Sequence, residues 1–209
     1  GGTAARVILP AARAVSVPRD LGAEATLLAL AATAHHALRT ARALPELIVG
    51  HGVLGRLLAR LAIIEGGAPT VWETNRDRRD AAAYPVIAPE DDLRRDYSGI
   101  CDVSGDPTIL DTLIGRLAKG GEILLAGFYP QRLDFAFPMA FMREAKLAVA
   151  AEWTPEDMAA VTRLVADGQL SLAGLITHEA RPQDAASAYR TAFEDAGCLK
   201  MILDWRNAA

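Results

Sequence analysis

Apolar and polar positions change period repeatedly along the chain, and each change marks an element. Leu47-Ile48-Val49 is a short unbroken apolar run, the mark of a buried strand. Leu54, Leu57, Leu58 and Leu61 then fall at i, i+3, i+4 and i+7, one face of a helix that Gly66-Gly67 stops. Pro69 to Glu73 is a second strand, Arg76 to Ala83 a short helix, Val86-Ile87 a strand stub and Pro89 to Asp96 a polar helical or looped segment. Gly99 to Gly105 reads as a buried strand with a glycine turn. A helix starting at Pro107 follows, with the stripe Ile109, Leu110, Leu113, Ile114 and Leu117, Lys119 at its end and Gly120-Gly121 as its stop. Glu122 to Gly127 is a strand, apolar almost throughout, as in a parallel sheet covered on both faces. Phe128 to Glu144 is aromatic and irregular, and Lys146 to Ala150 is a sixth strand. Thr154 and Pro155 open a helix with Met158, Val161, Leu164 and Val165 that ends at Gly168. Leu175-Ile176, a helix from Gln183 to Gly197 and Leu199 to Leu203 complete the chain.

Ahead of this alternation, Val7-Ile8-Leu9 and Ala14 to Val17 read as two short strands, and Leu21 to Leu38 as helical, with Pro45 closing the lead-in. Two short strands cannot bury an apolar face alone. They are expected to belong to a domain of which this chain, opening on Gly1-Gly2 without Met, carries only a remnant. Strands alternating with helices predict a doubly wound parallel α/β sheet. The expected division is residues 1–25 as that remnant, 26–172 as the sheet domain and 173–209 as a terminal segment.

Composition narrows the function classes. At 209 residues and 51% hydrophobic content the chain holds a sizeable core, and a net charge of −4 gives no basic field for nucleic acid. No apolar run has the length of a membrane span. Two cysteines without a Cys-x-x-Cys pair suit a reducing, cytoplasmic setting, and both are expected to be packing residues.

The turn between the first central strand and its helix carries the candidate chemistry. Gly50-His51-Gly52-Val53-Leu54-Gly55 is a Gly-x-Gly-x-x-Gly run. In such a run the first glycine allows the tight turn, the second lets backbone approach a pyrophosphate, and the third lets helix and strand pack closely. Glu73 lies eighteen residues past Gly55 at the end of the second strand, near the spacing of about 20 at which an acid reaches a ribose hydroxyl pair. Thr74 follows it. A carboxylate there favours NAD over NADP, although Arg76, Arg78 and Arg79 stand nearby as a solvated face. Ser104, Gly105, Gly127 and Phe128 fall at carboxyl ends of strands, where open α/β sheets bind ligands. They are candidate nicotinamide and ribose contacts. His51 is expected at the surface, His35 and His36 are expected to face different ways on one helix, and His178 is expected to be structural. Phe135 to Phe141 either covers the sheet edge or forms an apolar cleft or subunit interface. The last strand, Lys146 to Ala150, would leave an open edge unless paired, which predicts a homodimer.

The order of these motifs resembles the medium-chain dehydrogenase/reductase superfamily over essentially the whole chain. The resemblance rests on Thr33-Ala34-His35-His36-Ala37, Gly50 to Gly55, Glu73, Asp102-Val103-Ser104-Gly105, Gly120-Gly121-Glu122 to Gly127, and the tail Ala185 to Leu203. It implies a Rossmann sheet with remnants of a GroES-like catalytic domain at both ends, NAD as cofactor and a homodimer. Trp72 to Arg76, Tyr97 to Asp102, Gly127 to Tyr129 and Cys198 to Trp205 resemble the tetrapyrrole-oxidising branch of bacteriochlorophyll biosynthesis. That branch implies oxidation of a hydroxyethyl group on a chlorin ring to acetyl. Where zinc-dependent members carry Cys or Glu, this chain has Ala29, so the resemblance implies no metal site here. It also implies that the proton relay and most of the substrate pocket lie outside these residues, leaving the 209 alone inactive. A zinc-independent alcohol or quinone reductase, and a purely NAD-binding and dimerising module, are the alternative readings.

Overall fold

The computed structural model describes residues 3–11, 14–79 and 82–206. Its contacts divide the chain into two compact units, residues 28–171 and residues 1–27 with 172–209.

The larger unit is a six-stranded, wholly parallel sheet. Its strands are β1 (Leu47–Val49), β2 (Thr70–Trp72), β3 (Val86–Ile87), β4 (Tyr97–Asp102), β5 (Leu117–Leu125) and β6 (Lys146–Val149), in the order β3-β2-β1-β4-β5-β6. The chain leaves β1 toward one edge and returns to β4 on its other side. That reversal opens a crevice beyond the carboxyl ends of β1 and β4. Register lines those ends up: Val49 pairs with Trp72 and Asp102, Asp102 with Leu125, and Leu125 with Val149. The residues that follow, Gly50, Glu73, Ser104 and Gly127, therefore leave the sheet along one rim.

Helices α1 (Leu28–Thr40), α2 (Val53–Ile64), α3 (Leu110–Arg116), α4 (Phe137–Arg143) and α5 (Pro155–Ala166) accompany the sheet. The stripe of α2 is fully buried at Leu57, Leu58, Leu61 and Ala62, and Leu110, Leu113 and Ile114 of α3 pack with Tyr97, Ile100, Ile123 and Trp72. Burial of each large apolar side chain is worth about 1.5–3 kcal/mol, so these stripes hold the helices on the sheet. Asp92 fastens the segment before β4. It accepts from Trp72 Nε1 at 2.7 Å, Tyr97 OH at 2.8 Å and Arg94 N at 2.8 Å. Burial works against the charged form, but these hydrogen bonds and Arg116 hold its carboxyl below the usual range.

Several elements depart from expectation. The helix after Pro107 stops at Arg116, and Leu117, Lys119 and Gly120-Gly121 belong to β5. The cause is local: Gly120 takes a φ of 77°, and a Cβ on Gly121 would come 2.9 Å from Tyr97 O, so these glycines bring β5 tightly onto β4. The helix expected over 76–83 is a single 3-10 turn, Arg76–Arg78, capped by Asn75, and residues 80 and 81 lie outside the described residues. The segment called irregular contains α4, started by Pro138 in its first turn.

In the smaller unit, residues 7–9 and 14–17 are not strands; Val7, Ile8, Leu9, Val15 and Val17 are exposed apolar residues without sheet partners. Arg19–Leu27 is a 3-10 segment kinked at Gly22, so regular α-helix begins only at Leu28. The strand expected at 175–176 lies instead at β7 (His178–Ala180), parallel to β8 (Met201–Leu203), with Leu175 buried just ahead of it. Between them α6 (Ala185–Glu194) carries Tyr189 and Phe193 stacked at 6.3 Å.

Candidate functional site

The rim of the larger unit is built by its glycines. Gly50 follows β1 with a φ of 105°, and a Cβ there would sit 3.2 Å from both Ser104 Cα and Val103 O. Only glycine fits that turn without displacing the end of β4. A Cβ on Gly55 would lie 1.9 Å from Gly50 O, so the third glycine is what lets α2 close on the turn. Gly52 differs from both. Nothing stands within 4 Å of its ideal Cβ, and no side chain caps α2, which leaves open space beside the first-turn amides of the helix.

Glu73 sits at this turn. It is 8% exposed, and its Oε2 accepts from His51 N at 3.1 Å while Oε1 accepts from Asn75 N at 2.7 Å. A carboxylate has about four acceptor positions, so two backbone amides orient it and leave capacity for further donors. In the neighbouring loop Arg76 is exposed, as expected, while Arg79 braces the backbone. Arg79 donates from Nε to Glu73 O at 2.7 Å and from its terminal nitrogen to Thr74 O at 2.9 Å. His51, expected at the surface, is 0% exposed. Its Nδ1 lies 2.7 Å from Arg78 O and its Nε2 3.0 Å from Tyr84 OH. The variable position of the turn faces inward because the loop after β2 folds over it.

The other predicted residues gather one strand away. Gly105 takes a φ of 74° with its ideal Cβ 3.1 Å from Phe128 O, so the turns after β4 and β5 touch. Ser104 N donates to Asp102 Oδ1 at 2.9 Å, and its hydroxyl accepts from Asp106 N at 3.1 Å. Phe128 stands 89% exposed beside them. Sequence reasoning missed Tyr129. Its hydroxyl donates to Asp102 Oδ2 at 2.7 Å, and Gly127 leaves room for it, since a Cβ there would meet that hydroxyl at 3.2 Å. Burial raises the pKa of Asp102 despite these bonds, and burial together with Asp102 raises that of Tyr129. Cys101, as expected, is a packing residue: burial and Asp102 push its thiol up to about 12.

Asp157 was also missed. His35 and His36, expected to diverge, both turn to it, with Nδ1 atoms 2.7 Å from Oδ1 and 2.8 Å from Oδ2. The same carboxylate accepts from Thr154 N and Oγ1 at 2.8 and 2.7 Å, which closes a capping box at the start of α5. Adjacent helical residues reach one acceptor here because its two oxygens lie between them. Among the described residues no group of three or more His, Cys, Asp or Glu side chains is placed to hold a metal ion. No helix among them is long and apolar enough to cross a membrane.

No family model matches the chain. Curated proteins do. The 2-desacetyl-2-hydroxyethyl bacteriochlorophyllide A dehydrogenase of Cereibacter sphaeroides is 58% identical over 212 aligned residues, covering 100% of this chain and 67% of the relative. Its namesake in Rhodobacter capsulatus is 55% identical, with the same coverage of 100% and 67%. Among solved structures, the short chain alcohol dehydrogenase of Escherichia coli CFT073 complexed with NADH superposes with a TM-score of 0.79 at 17% identity. That superposition covers 93% of this chain and 63% of the other. The chain thus spans about two thirds of the length of its curated relatives, and the structural likeness is one of fold. At this identity over its whole length, the chain belongs to the 2-desacetyl-2-hydroxyethyl bacteriochlorophyllide A dehydrogenase family, and its parallel sheet is of the Rossmann type.

Proposed function

We propose that the larger unit binds NAD for the oxidation of a bacteriochlorophyllide hydroxyethyl group to acetyl, the reaction named for the two bacterial relatives. The observation that carries the cofactor half is the pairing of an open Gly52 position with an oriented Glu73 carboxylate at the same turn. Of the run Gly50, His51, Gly52, Val53, Leu54 and Gly55, the amides at Gly52, Val53 and Leu54 face a pyrophosphate, while Gly50, His51 and Gly55 shape the turn, the Gly50 and His51 amides going to Trp72 O and Glu73 Oε2. Glu73 and Thr74 take the adenosine ribose, and Ser104, Gly105, Gly127 and Phe128 face the nicotinamide side. When bound, the oxidised nicotinamide accepts the hydride from the alcohol carbon. Phe128, exposed at the rim, supports an apolar, planar substrate such as a tetrapyrrole. The setting is reducing and cytoplasmic, in keeping with two cysteines that are both thiols, and the working form is a homodimer.

The charge at Glu73 argues for NAD over NADP. A 2′-phosphate would meet a carboxylate already held in place, while the Arg79 guanidinium is engaged by Glu73 O and Thr74 O. Titration with NADH and NADPH tests this. NADH is expected to bind at least about tenfold more tightly, and Glu73→Ala to weaken NADH by about 10- to 100-fold, the worth of hydrogen bonds to a charged group. Equal affinities would remove Glu73 from the ribose site. Incubation of the full-length protein with NAD and hydroxyethyl bacteriochlorophyllide tests the substrate half, and absence of the acetyl product would end it.

A further inference from the structure

At one variable position of the glycine turn, His51 spends its side chain on another segment. Its ring is edge-on to Tyr84, with centroids 5.7 Å apart and planes at 88°, and it is wholly enclosed. Arg78 O can only accept, so Nδ1 carries a proton and donates at 2.7 Å; in the neutral ring Nε2 then accepts from Tyr84 OH at 3.0 Å. The backbone of the same residue points the other way in function. His51 N donates to Glu73 Oε2, and His51 O accepts from Arg56 Nε at 3.0 Å. Arg56 also donates to Arg78 O at 3.3 Å. One residue thus links the fingerprint turn, the amino end of α2, the end of β2 and the loop over 78–84.

We infer that His51 is a positioning residue for the adenosine half of the dinucleotide: its ring anchors the loop after β2 on the glycine turn, and its amide sets the Glu73 carboxylate. This rests on the proposed reading of Glu73 as the ribose acceptor. The consequence is specific to one end of the cofactor. Removing the ring frees the loop that carries Thr74 and Asn75 and lets Glu73 lose its orientation, while the rim at Ser104, Gly105, Gly127 and Phe128 is untouched. A residue that merely filled space would weaken both ends equally, through the fold.

The test measures binding of NADH, ADP-ribose and nicotinamide mononucleotide to the purified protein by calorimetry. His51→Leu, of similar bulk and without hydrogen bonds, is expected to weaken NADH and ADP-ribose by about 10- to 50-fold, as expected for losing buried hydrogen bonds, with nicotinamide mononucleotide unchanged. His51→Asn keeps a donor toward Arg78 O and is expected to restore most of the loss. Tyr84→Phe, which removes the partner of Nε2, should cost about threefold. In a Glu73→Gln background, His51→Leu should have little further effect, because the two act as one unit. Equal losses for both half-ligands, no rescue by His51→Asn, or full additivity with Glu73→Gln would each overturn the inference. Should Glu73→Gln alone leave ADP-ribose binding unchanged, the ribose reading itself falls, which separates that failure from a failure of His51. If His51→Leu does not fold, Tyr84→Phe and His51→Asn still decide, since each leaves most of the ring's packing in place.

Discussion

Asp157 shows how one side chain can serve two helices. Its carboxylate caps α5 through Thr154 and at the same time receives the Nδ1 atoms of His35 and His36 from α1. Burial opposes the charge, but the Thr154 and histidine hydrogen bonds outweigh it and hold the carboxyl well below the usual range. An acid whose pKa is depressed on folding contributes stability that is complete above its unfolded value, about 3.9, and is lost as pH falls through the lower folded value. Asp157→Asn is therefore expected to destabilise the protein by about 2 kcal/mol near neutrality, in the range of a lost helix cap and charged hydrogen bonds. The difference from the parent should shrink below about pH 4. Urea unfolding from pH 3 to pH 8 measures it, and a pH-independent difference would show that the charge contributes nothing. The sequence held no sign of this cluster, because it joins residues 121 and 122 positions apart, a distance no local pattern spans.

At the scale of elements, the glycine turn separates two requirements that a single motif conceals. Gly55 has no room, its ideal Cβ 1.9 Å from Gly50 O, whereas Gly52 has nothing within 4 Å. Gly55→Ala is expected to push α2 off the turn at a cost of about 1–3 kcal/mol, in the range of core overpacking. Gly52→Ala should change stability by about 0.5 kcal/mol or less while weakening NADH, since its methyl group would occupy the space a pyrophosphate needs. Thermal unfolding paired with NADH titration distinguishes them; a Gly52→Ala protein that bound NADH normally would place the pyrophosphate elsewhere. This turn and the strands of the larger unit were legible in the sequence because they depend on local periodicity and on backbone that only glycine allows, and the parallel arrangement because strands alternate with helices. The misplaced boundaries share a different physics. Leu117 and Lys119 continue a helical stripe on paper, yet pairing with β4 claims them for β5. Val7-Ile8-Leu9 has strand composition and no partner strand among the described residues, and composition without pairing makes no sheet. His51 was misjudged because its environment comes from a loop 27 to 33 residues further on.

For the molecule as a whole, the open question posed by the sheet is its β6 edge. β5 pairs with β6 on one side, and no described strand lies on the other. Leu147 and Val149 on β6 are exposed, the latter at 72%, and Phe137, Phe141 and Met142 of the neighbouring α4 are exposed as well. Unpaired edges invite pairing, and exposed apolar side chains in such number favour an interaction site. A second copy related by a two-fold axis would cover both at once, since a self-complementary edge supplies the same donors and acceptors to each partner. The burial needed is modest: specific interfaces start at about 1,000 Å² in total. Sedimentation at micromolar concentration is expected to give a dimer, and Val149→Lys or Phe141→Glu a monomer that keeps its NADH affinity, because the glycine turn after β1 lies on the far side of β4 and β5 from this edge. A monomeric parent protein would leave the edge to some other partner, and a monomeric variant that lost NADH would tie cofactor binding to assembly.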